Sequence, residues 1–229
     1  HPWAAAVTTT DEDHLDIYGD SGALLETFDA FVGQVSGPTF TATDLQHTTR
    51  VGSDGSHCWA SDIRPNQGAY HFTLHLGGEQ HTTSLQMPGR HNIYNAVLAA
   101  SLAHEAGAST AQIAAALPSF QGIKRRFEFH LHSPVVLIED YAHHPTELEA
   151  LLDSIDELYP TGKVTIVFQP HLFSRTRDFM EGFKNQLSRA EHCLLLPIYP
   201  ARELPIEGVS SEVLAAGISG AAVVQKDDL

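Results

Sequence analysis

Short apolar and polar runs alternate along the first part of the chain. Residues 4–10 join small apolar residues to a threonine run, which predicts a buried strand that leads into an acidic turn. Apolar residues at helical spacing predict a helix over residues 28–35. Between residues 39 and 87, Thr-rich and aromatic runs are separated by turn residues, and Gly77-Gly78 predicts a two-residue hairpin. This part of the chain is therefore predicted to contain an antiparallel sheet.

The period of the pattern changes to that of a helix after Pro88-Gly89. Apolar residues from Ile93 to Leu102 lie on one helical face, and Gly107 ends the predicted helix. Ser109 and Gln112 have the spacing of a capping box, which predicts the start of a second helix.

Strands and helices alternate from about residue 122 onward. The pattern predicts strands at 135–139, 164–169, 193–198 and 221–224, separated by helices at 146–158, 175–190 and 211–216. This alternation is typical of a parallel sheet covered by helices. The predicted fold class is therefore α/β with two domains, residues 1–121 containing the antiparallel region and residues 122–229 forming a Rossmann-like parallel sheet.

The amino-acid composition limits the kinds of molecule that the protein is expected to bind. The chain has 13 basic and 28 acidic residues and a formal net charge of −15, which opposes binding to nucleic acid or to an anionic membrane. No apolar run reaches the roughly 18 residues of a membrane span, so membrane insertion is not expected. The two cysteines are far apart and fit a reducing cytoplasm. Small molecules are the expected partners.

Candidate functional residues cluster where the predicted parallel strands end. Ligands of open parallel sheets bind outside the carboxyl ends of the strands. There the sequence places the runs 140–145 (DYAHHP), 170–177 (PHLFSRTR) and 199–203 (YPARE). Polar loops are common, and one such strand end alone would indicate no function. Three strand ends rich in His, Arg, Tyr and Asp favour a ligand-binding site. Arg175 and Arg177 at a helix start suit a carboxylate or phosphate.

Two further candidates lie in the first predicted domain. His14 among aspartates is a candidate divalent-cation ligand, although an acidic helix start explains the cluster equally well. His91 and Asn95 share a helical face, where an amide could hydrogen-bond a purine edge, and local capping is the alternative.

Six ordered motifs across nearly the whole chain resemble those of the Mur ligase family. They are 13–19 (DHLDIYG), 89–96 (GRHNIYNA), 120–128 (FQGIKRRFE), 140–147 (DYAHHPTE), 168–178 (FQPHLFSRTRD) and 199–203 (YPARE). Within the family they are most similar to the members that join L-alanine to UDP-N-acetylmuramate in peptidoglycan precursor synthesis. The resemblance implies an ATP-dependent, magnesium-dependent ligase that forms an acyl phosphate.

The resemblance also implies roles for single residues. His14 would lie at a magnesium site, and His91 and Asn95 would hold the adenine of ATP. Arg126 and Asp140 would approach the phosphates and the ribose, respectively. A last group would line the alanine pocket, with Arg175 binding the α-carboxylate: Tyr141, His171, Arg175 and Arg177. Arg126, His171 and Arg175 are the expected catalytic residues.

The sequence departs from the family pattern in two respects. Leu172 stands where many relatives have an arginine, which shifts carboxylate binding onto Arg175 or Arg177. The 229 residues contain no Gly-x-x-x-x-Gly-Lys-Ser/Thr loop, and Gly162-Lys163 precedes a predicted strand instead of following one. The expectation is a fragment of the central ATP-binding domain and of the C-terminal amino-acid-binding domain, inactive alone, whose partners include missing N-terminal domains.

Two other functions remain open at this point. A recycling ligase that attaches a whole tripeptide to UDP-N-acetylmuramate shares the 140–145 segment but not the 168–178 motif. A non-catalytic binding module that holds an amino acid or a protein is the alternative from another class.

Overall fold

The chain divides into two compact units, His1–Gly122 and Ile123–Leu229. The computed structural model describes residues 1–12, 15–43, 45–52, 55–66 and 68–228. Each unit combines helices with strands, and the predicted α/β fold class is confirmed.

The first unit opens with short parallel strands and two helices. They are β1 (Ala5–Val7), α1 (Leu15–Tyr18), α2 (Ser21–Val32), β2 (Thr39–Thr41) and β3 (Thr49–Arg50). The three strands pair in the order β1-β2-β3. Helix α2 begins well before the predicted residue 28, because the side chain of Asp20 accepts the Ala23 N–H and caps the helix there.

An antiparallel sheet follows in the first unit, formed by β4 (Cys58–Asn66), β5 (Ala69–Leu76) and β6 (Glu79–Leu85). Gly77 and Gly78 have φ values of 61° and 80°, the left-handed conformation that a tight hairpin of this type requires. Every second side chain of β5 from Tyr70 to Leu76 is buried, so one face of the sheet belongs to the core. The predicted hairpin is confirmed.

Two helices complete the first unit, α3 (Arg90–Glu105) and α4 (Thr110–Ala116), and a 3₁₀ turn follows at Leu117–Ser119. The predicted capping box is present: the Ser109 side chain accepts the Gln112 N–H, and the Gln112 side chain accepts the Ser109 N–H. The Thr83 hydroxyl donates to the carbonyl of Ala114, which ties α4 to strand β6.

The second unit contains the remaining strands and α-helices. They are β7 (Glu128–Leu131), β8 (Leu137–Glu139), α5 (Pro145–Leu158), β9 (Thr165–Phe168), α6 (Phe173–Asp178), α7 (Met180–Leu187), β10 (His192–Leu195), α8 (Ser211–Ala215) and β11 (Ala221–Val223). Strands β9, β10 and β11 form a parallel sheet with β10 in the centre. Its core holds Phe168, Phe183, Leu187, Leu195 and Leu214, among others.

Two elements of the second unit differ from the sequence prediction. Strand β8, predicted as the first strand of the parallel sheet, pairs antiparallel with β7 in a separate two-stranded sheet of the described chain. The single helix predicted over 175–190 is divided into α6 and α7 at Phe179, whose φ and ψ are −112° and 21°. Among the described residues, no helix has the length and apolar character needed to cross a bilayer.

Candidate functional site

The loops that follow β9 and β10 are joined by backbone hydrogen bonds. Leu172 N–H donates to the Tyr199 carbonyl at 2.9 Å, and Tyr199 N–H donates to the Pro170 carbonyl at 2.8 Å. The imidazole of His171 stacks on the Tyr199 ring with 5.5 Å between centroids and 17° between planes. The two loops therefore hold one another at the carboxyl end of the parallel sheet.

Helix α6 places Arg175 beside His171. Arg175 is 6% exposed, and its Nη1 lies 3.4 Å from Nδ1 of His171. Leu172 precedes the helix with φ 71°, a left-handed value that is uncommon for a branched residue. Its carbonyl accepts the Thr176 hydroxyl at 2.7 Å, which helps to hold this conformation.

Arg177 has a different environment from Arg175. Its side chain is 54% exposed, and its Nε donates to Oδ1 of Asp178 at 2.7 Å. Residues two apart on a helix point to different faces. The structure thus separates the two arginines that the sequence placed in one anion site.

The protonation state of His171 follows from these neighbours. Burial lowers the pKa of His171, and electrostatic interactions with Arg175 and His143 lower it further against the opposite effect of Glu203. The imidazole is therefore neutral at neutral pH, and Nδ1 can accept a hydrogen from the Arg175 guanidinium.

Asp140 fastens the loop after β8. Its Oδ1 accepts the Ala142 N–H at 2.7 Å, and its Oδ2 accepts the Phe127 N–H at 2.8 Å. Burial raises the pKa of Asp140, because it outweighs these two hydrogen bonds and the nearby charge of Arg126. Each carboxylate oxygen has a second acceptor position, so a hydroxyl donor could still bind.

Glu147 forms hydrogen bonds with two residues near this loop. Its carboxylate accepts from Arg126 Nη1 at 3.2 Å and from the backbone N–H of His143 at 2.8 Å. Burial raises the pKa of Glu147, but its hydrogen bonds and its electrostatic interactions with His143 and Arg126 together lower it. The Tyr141 ring lies under the guanidinium of Arg125 at 4.8 Å and within 6.0 Å of that of Arg126.

Aromatic contacts connect the three loops into one surface. The His143 ring lies 5.3 Å from the ring of Tyr141 and 6.5 Å from that of His171, edge to face in both cases. We call this surface the rim, defined by Tyr141, His143, His171, Arg175 and Tyr199. It offers one buried guanidinium, two imidazoles and two phenols, which is chemistry suited to a small anionic molecule with a polar end.

The predicted nucleotide residues of the first unit lie at the start of α3. His91 and Asn95 are both exposed, one helical turn apart. Gly89 precedes the helix with φ 105°, a conformation that glycine adopts without strain. The third predicted residue, His14, lies outside the described residues.

One group of described residues has the composition of a metal site: Glu128, His130 and Glu139 on β7 and β8. Arg125 already compensates this group, because its Nε donates to Glu139 at 2.9 Å and its backbone N–H donates to Glu128 at 2.7 Å. His130 Nε2 lies 2.9 Å from the other Glu139 oxygen. The two opposed carboxylates thus already have hydrogen-bond partners within the protein, one of which is the Arg125 guanidinium.

Two family descriptions together match most of the chain. Residues 1–103 match the Mur ligase middle domain, and residues 125–229 match the Mur ligase, glutamate ligase domain. The chain belongs to the Mur ligase family. The family resemblance inferred from the sequence motifs is therefore confirmed.

Relatives within the Mur ligase family are named UDP-N-acetylmuramate--L-alanine ligase. The protein from Christiangramia forsetii is 46% identical over 236 residues, covering 100% of this chain and 52% of the relative. The protein from Paenarthrobacter aurescens is 39% identical and covers 99% of this chain and 53% of the relative. The chain spans about half the length of these relatives.

Solved structures of Mur ligases share the fold. UDP-N-acetylmuramate-alanine ligase from Thermotoga maritima superposes with a TM-score of 0.77 at 22% identity, covering 98% of this chain and 51% of that one. MurF from Acinetobacter baumannii gives 0.79 at 18% identity, covering 99% and 51%. At such identities the likeness extends to the fold alone.

Sequence reasoning assigned no role to three acidic or basic residues that the structure brings to the rim: His143, Glu147 and Glu203. His143 and Glu147 have the helical i,i+4 spacing, which is the one sequence signal that could have paired them. Glu203 contacts Ser174, which is far from it along the chain, and only the tertiary structure reveals that contact. The roles given to the predicted site residues stay predictions.

Proposed function

We propose that the complete protein, of which this Mur ligase chain is a part, joins L-alanine to the lactyl carboxylate of UDP-N-acetylmuramate at the expense of ATP. The observation that carries this proposal is the buried Arg175 guanidinium beside the neutral imidazole of His171. A guanidinium of this kind suits the α-carboxylate of an amino acid. The names of the relatives, at 39% to 46% identity, support alanine as that amino acid.

The proposed reaction has two steps. The lactyl carboxylate attacks the γ-phosphorus of ATP, so that ADP leaves and an acyl phosphate forms. The amine of L-alanine then attacks the acyl carbon, inorganic phosphate leaves, and the amine loses a proton as the amide forms. Such chemistry depends on positioning and on charge neutralisation more than on covalent catalysis.

Within this reaction the second unit would supply the amino-acid site. Arg175 would bind the α-carboxylate of alanine, and His171 and Tyr141 would line the pocket beside it. Because Arg177 is exposed and paired with Asp178, its proposed part in carboxylate binding is secondary.

Each unit has its own proposed nucleotide contacts. Arg126 is half-exposed and is oriented by Glu147, which suits a contact to a phosphate. Asp140 retains acceptor positions for a ribose hydroxyl, and His91 with Asn95 would hold the adenine. A magnesium ion would neutralise phosphate charge when bound, and His14 is its proposed ligand.

An assay of substrate dependence tests the proposed function. The complete enzyme is expected to release phosphate from ATP only when UDP-N-acetylmuramate and L-alanine are both present. A recycling ligase would instead require a tripeptide, and a binding module would release no phosphate with either. Turnover with the tripeptide but not with alanine would refute the proposal.

A further inference from the structure

The loop after β10 turns back toward helix α6. The Glu203 N–H donates to the Pro200 carbonyl at 2.9 Å, which closes a turn. Ala201 within that turn has φ 49°, a left-handed conformation that residues with a side chain rarely adopt. A loop held in this conformation needs compensating contacts elsewhere.

The compensating contacts come from the Glu203 carboxylate. Its Oε2 accepts the backbone N–H of Ser174 at 3.0 Å, and its Oε1 accepts the Ser174 hydroxyl. The backbone N–H of Phe173 also hydrogen-bonds to this carboxylate. Glu203 therefore binds the first two backbone N–H groups of α6.

Helix α6 has no capping side chain of its own at this position. Leu172 precedes the helix and carries no polar atom that could accept a backbone N–H. Free N–H groups at a helix start need an acceptor, and a negatively charged one is favoured. Glu203 supplies that acceptor from a loop almost thirty residues further along the chain.

We propose that Glu203 is a positioning residue of the amino-acid site: it fixes the first turn of α6 and thereby holds Arg175 where the substrate carboxylate binds. This inference rests on the proposed function. Arg175 lies directly after Ser174, so any rotation or fraying of the first turn moves its guanidinium relative to His171.

The loop after β10 thus holds α6 at two points. Upstream of Arg175, the Tyr199 backbone and ring hold Leu172 and His171. At the first turn itself, Glu203 holds Ser174. Because the Phe173 and Ser174 N–H groups are already bound to Glu203, neither is left for a substrate carboxylate, and the Arg175 side chain is the proposed carboxylate contact.

Glu203 is ionised under assay conditions. Desolvation raises the pKa of Glu203, but the Ser174 and Phe173 hydrogen bonds and the charge of Arg177 outweigh it and lower the pKa below its ordinary value. A glutamine at this position keeps the shape but loses the charge and one of the two acceptor oxygens.

The test compares Glu203→Gln with Glu207→Gln, an exposed residue of the same loop. In the complete enzyme, Glu203→Gln is expected to raise the KM for L-alanine on the order of tenfold. The KM for ATP should stay within about twofold, and Glu207→Gln should change neither constant. A merely structural defect would lower the active fraction and leave both KM values alone.

Amide hydrogen exchange of the 229-residue chain gives a readout that does not depend on the substrate. The Ser174 N–H is expected to exchange on the order of tenfold faster in Glu203→Gln than in the unsubstituted chain, with no change in Glu207→Gln. Unchanged exchange at Ser174 overturns the proposal, as does faster exchange with an unaltered KM for alanine. If the unsubstituted complete enzyme ligates no alanine, the proposed function fails, while the exchange result still decides whether Glu203 holds α6.

Discussion

Arg175 provides the sharpest test of the amino-acid site. Its guanidinium is almost fully buried and can donate two parallel hydrogen bonds to a carboxylate. Removing one partner of a desolvated charge pair costs about 2–5 kcal/mol. At about 1.36 kcal/mol per tenfold, Arg175→Ala should lower kcat/KM for L-alanine roughly 30-fold to several thousand-fold.

Two further variants show whether the effect of Arg175→Ala comes from the lost charge, from the lost planar donor pair or from the loss of any arginine on α6. Arg175→Lys restores the charge but not the planar pair of donors, so it should recover only part of the lost kcat/KM. Arg177→Ala removes an exposed arginine of the same helix whose partner is Asp178, and surface pairs of this kind contribute about 0–1 kcal/mol. That variant should therefore lose less than roughly fivefold.

The assay is steady-state phosphate release by the complete enzyme, with alanine and ATP varied in turn. The KM for ATP should be little affected in all three variants. Thermal unfolding checks that Arg175→Ala remains folded, because truncating a buried side chain can destabilise the second unit. The assignment of the α-carboxylate to Arg175 is refuted if the alanine dependence is unchanged, or if Arg177→Ala is as damaging.

Three further predictions concern pH, the first unit and ATP. Because the pKa of His171 is lowered on folding, the neutral imidazole stabilises the fold above its ordinary pKa of 6.5, and this stabilisation is lost as the pH falls. Urea unfolding should thus show a smaller loss of stability between pH 8 and pH 5 in His171→Gln than in the unsubstituted chain, and equal losses would contradict the lowered pKa. Ser109→Ala removes the capping box and should cost about 0.5–2 kcal/mol in unfolding free energy, whereas the same change at Ser188 near the end of α7 should cost less. The 229-residue chain should not hydrolyse ATP, since it contains no Gly-x-x-x-x-Gly-Lys-Ser/Thr loop, and magnesium-dependent turnover by the purified chain would disprove this.

Local signals in the sequence predicted the elements whose partners are close along the chain. The Gly77-Gly78 hairpin and the capping box at Ser109 both depend on residues within a few positions, and the structure contains both. Strand β8 pairs with β7 and not with the parallel sheet, and the residues of β8 alone do not encode which partner it takes. The break at Phe179 likewise has no Gly or Pro at the junction that could have signalled it.

The sequence could predict which loops carry the candidate site, but not which side chains contact one another there. The rule for parallel sheets directs attention to the loops after β9 and β10, where His171, Arg175 and Tyr199 lie, but it does not account for the loop after β8, because β8 is not a strand of that sheet. Periodicity could not show that Arg175 is buried while Arg177 is exposed, because that depends on where α6 begins. The contacts of Glu203 with Ser174 and of Glu147 with Arg126 cross between separate segments, so both glutamates looked like ordinary solvated residues.

The contrast between the antiparallel sheet β4–β6 and the parallel sheet β9–β11 has a consequence for the order in which they fold. Strands β4, β5 and β6 pair with their immediate neighbours through tight turns, so they close only short loops. Each parallel pair among β9, β10 and β11 instead joins strands that are separated in sequence by a whole helical segment, so its formation closes a longer loop. Folding rates fall as contacts become less local. The antiparallel sheet β4–β6 should therefore gain protection from amide exchange early in refolding, and the rim, two of whose loops follow strands of the parallel sheet, should be among the last parts of the second unit to order.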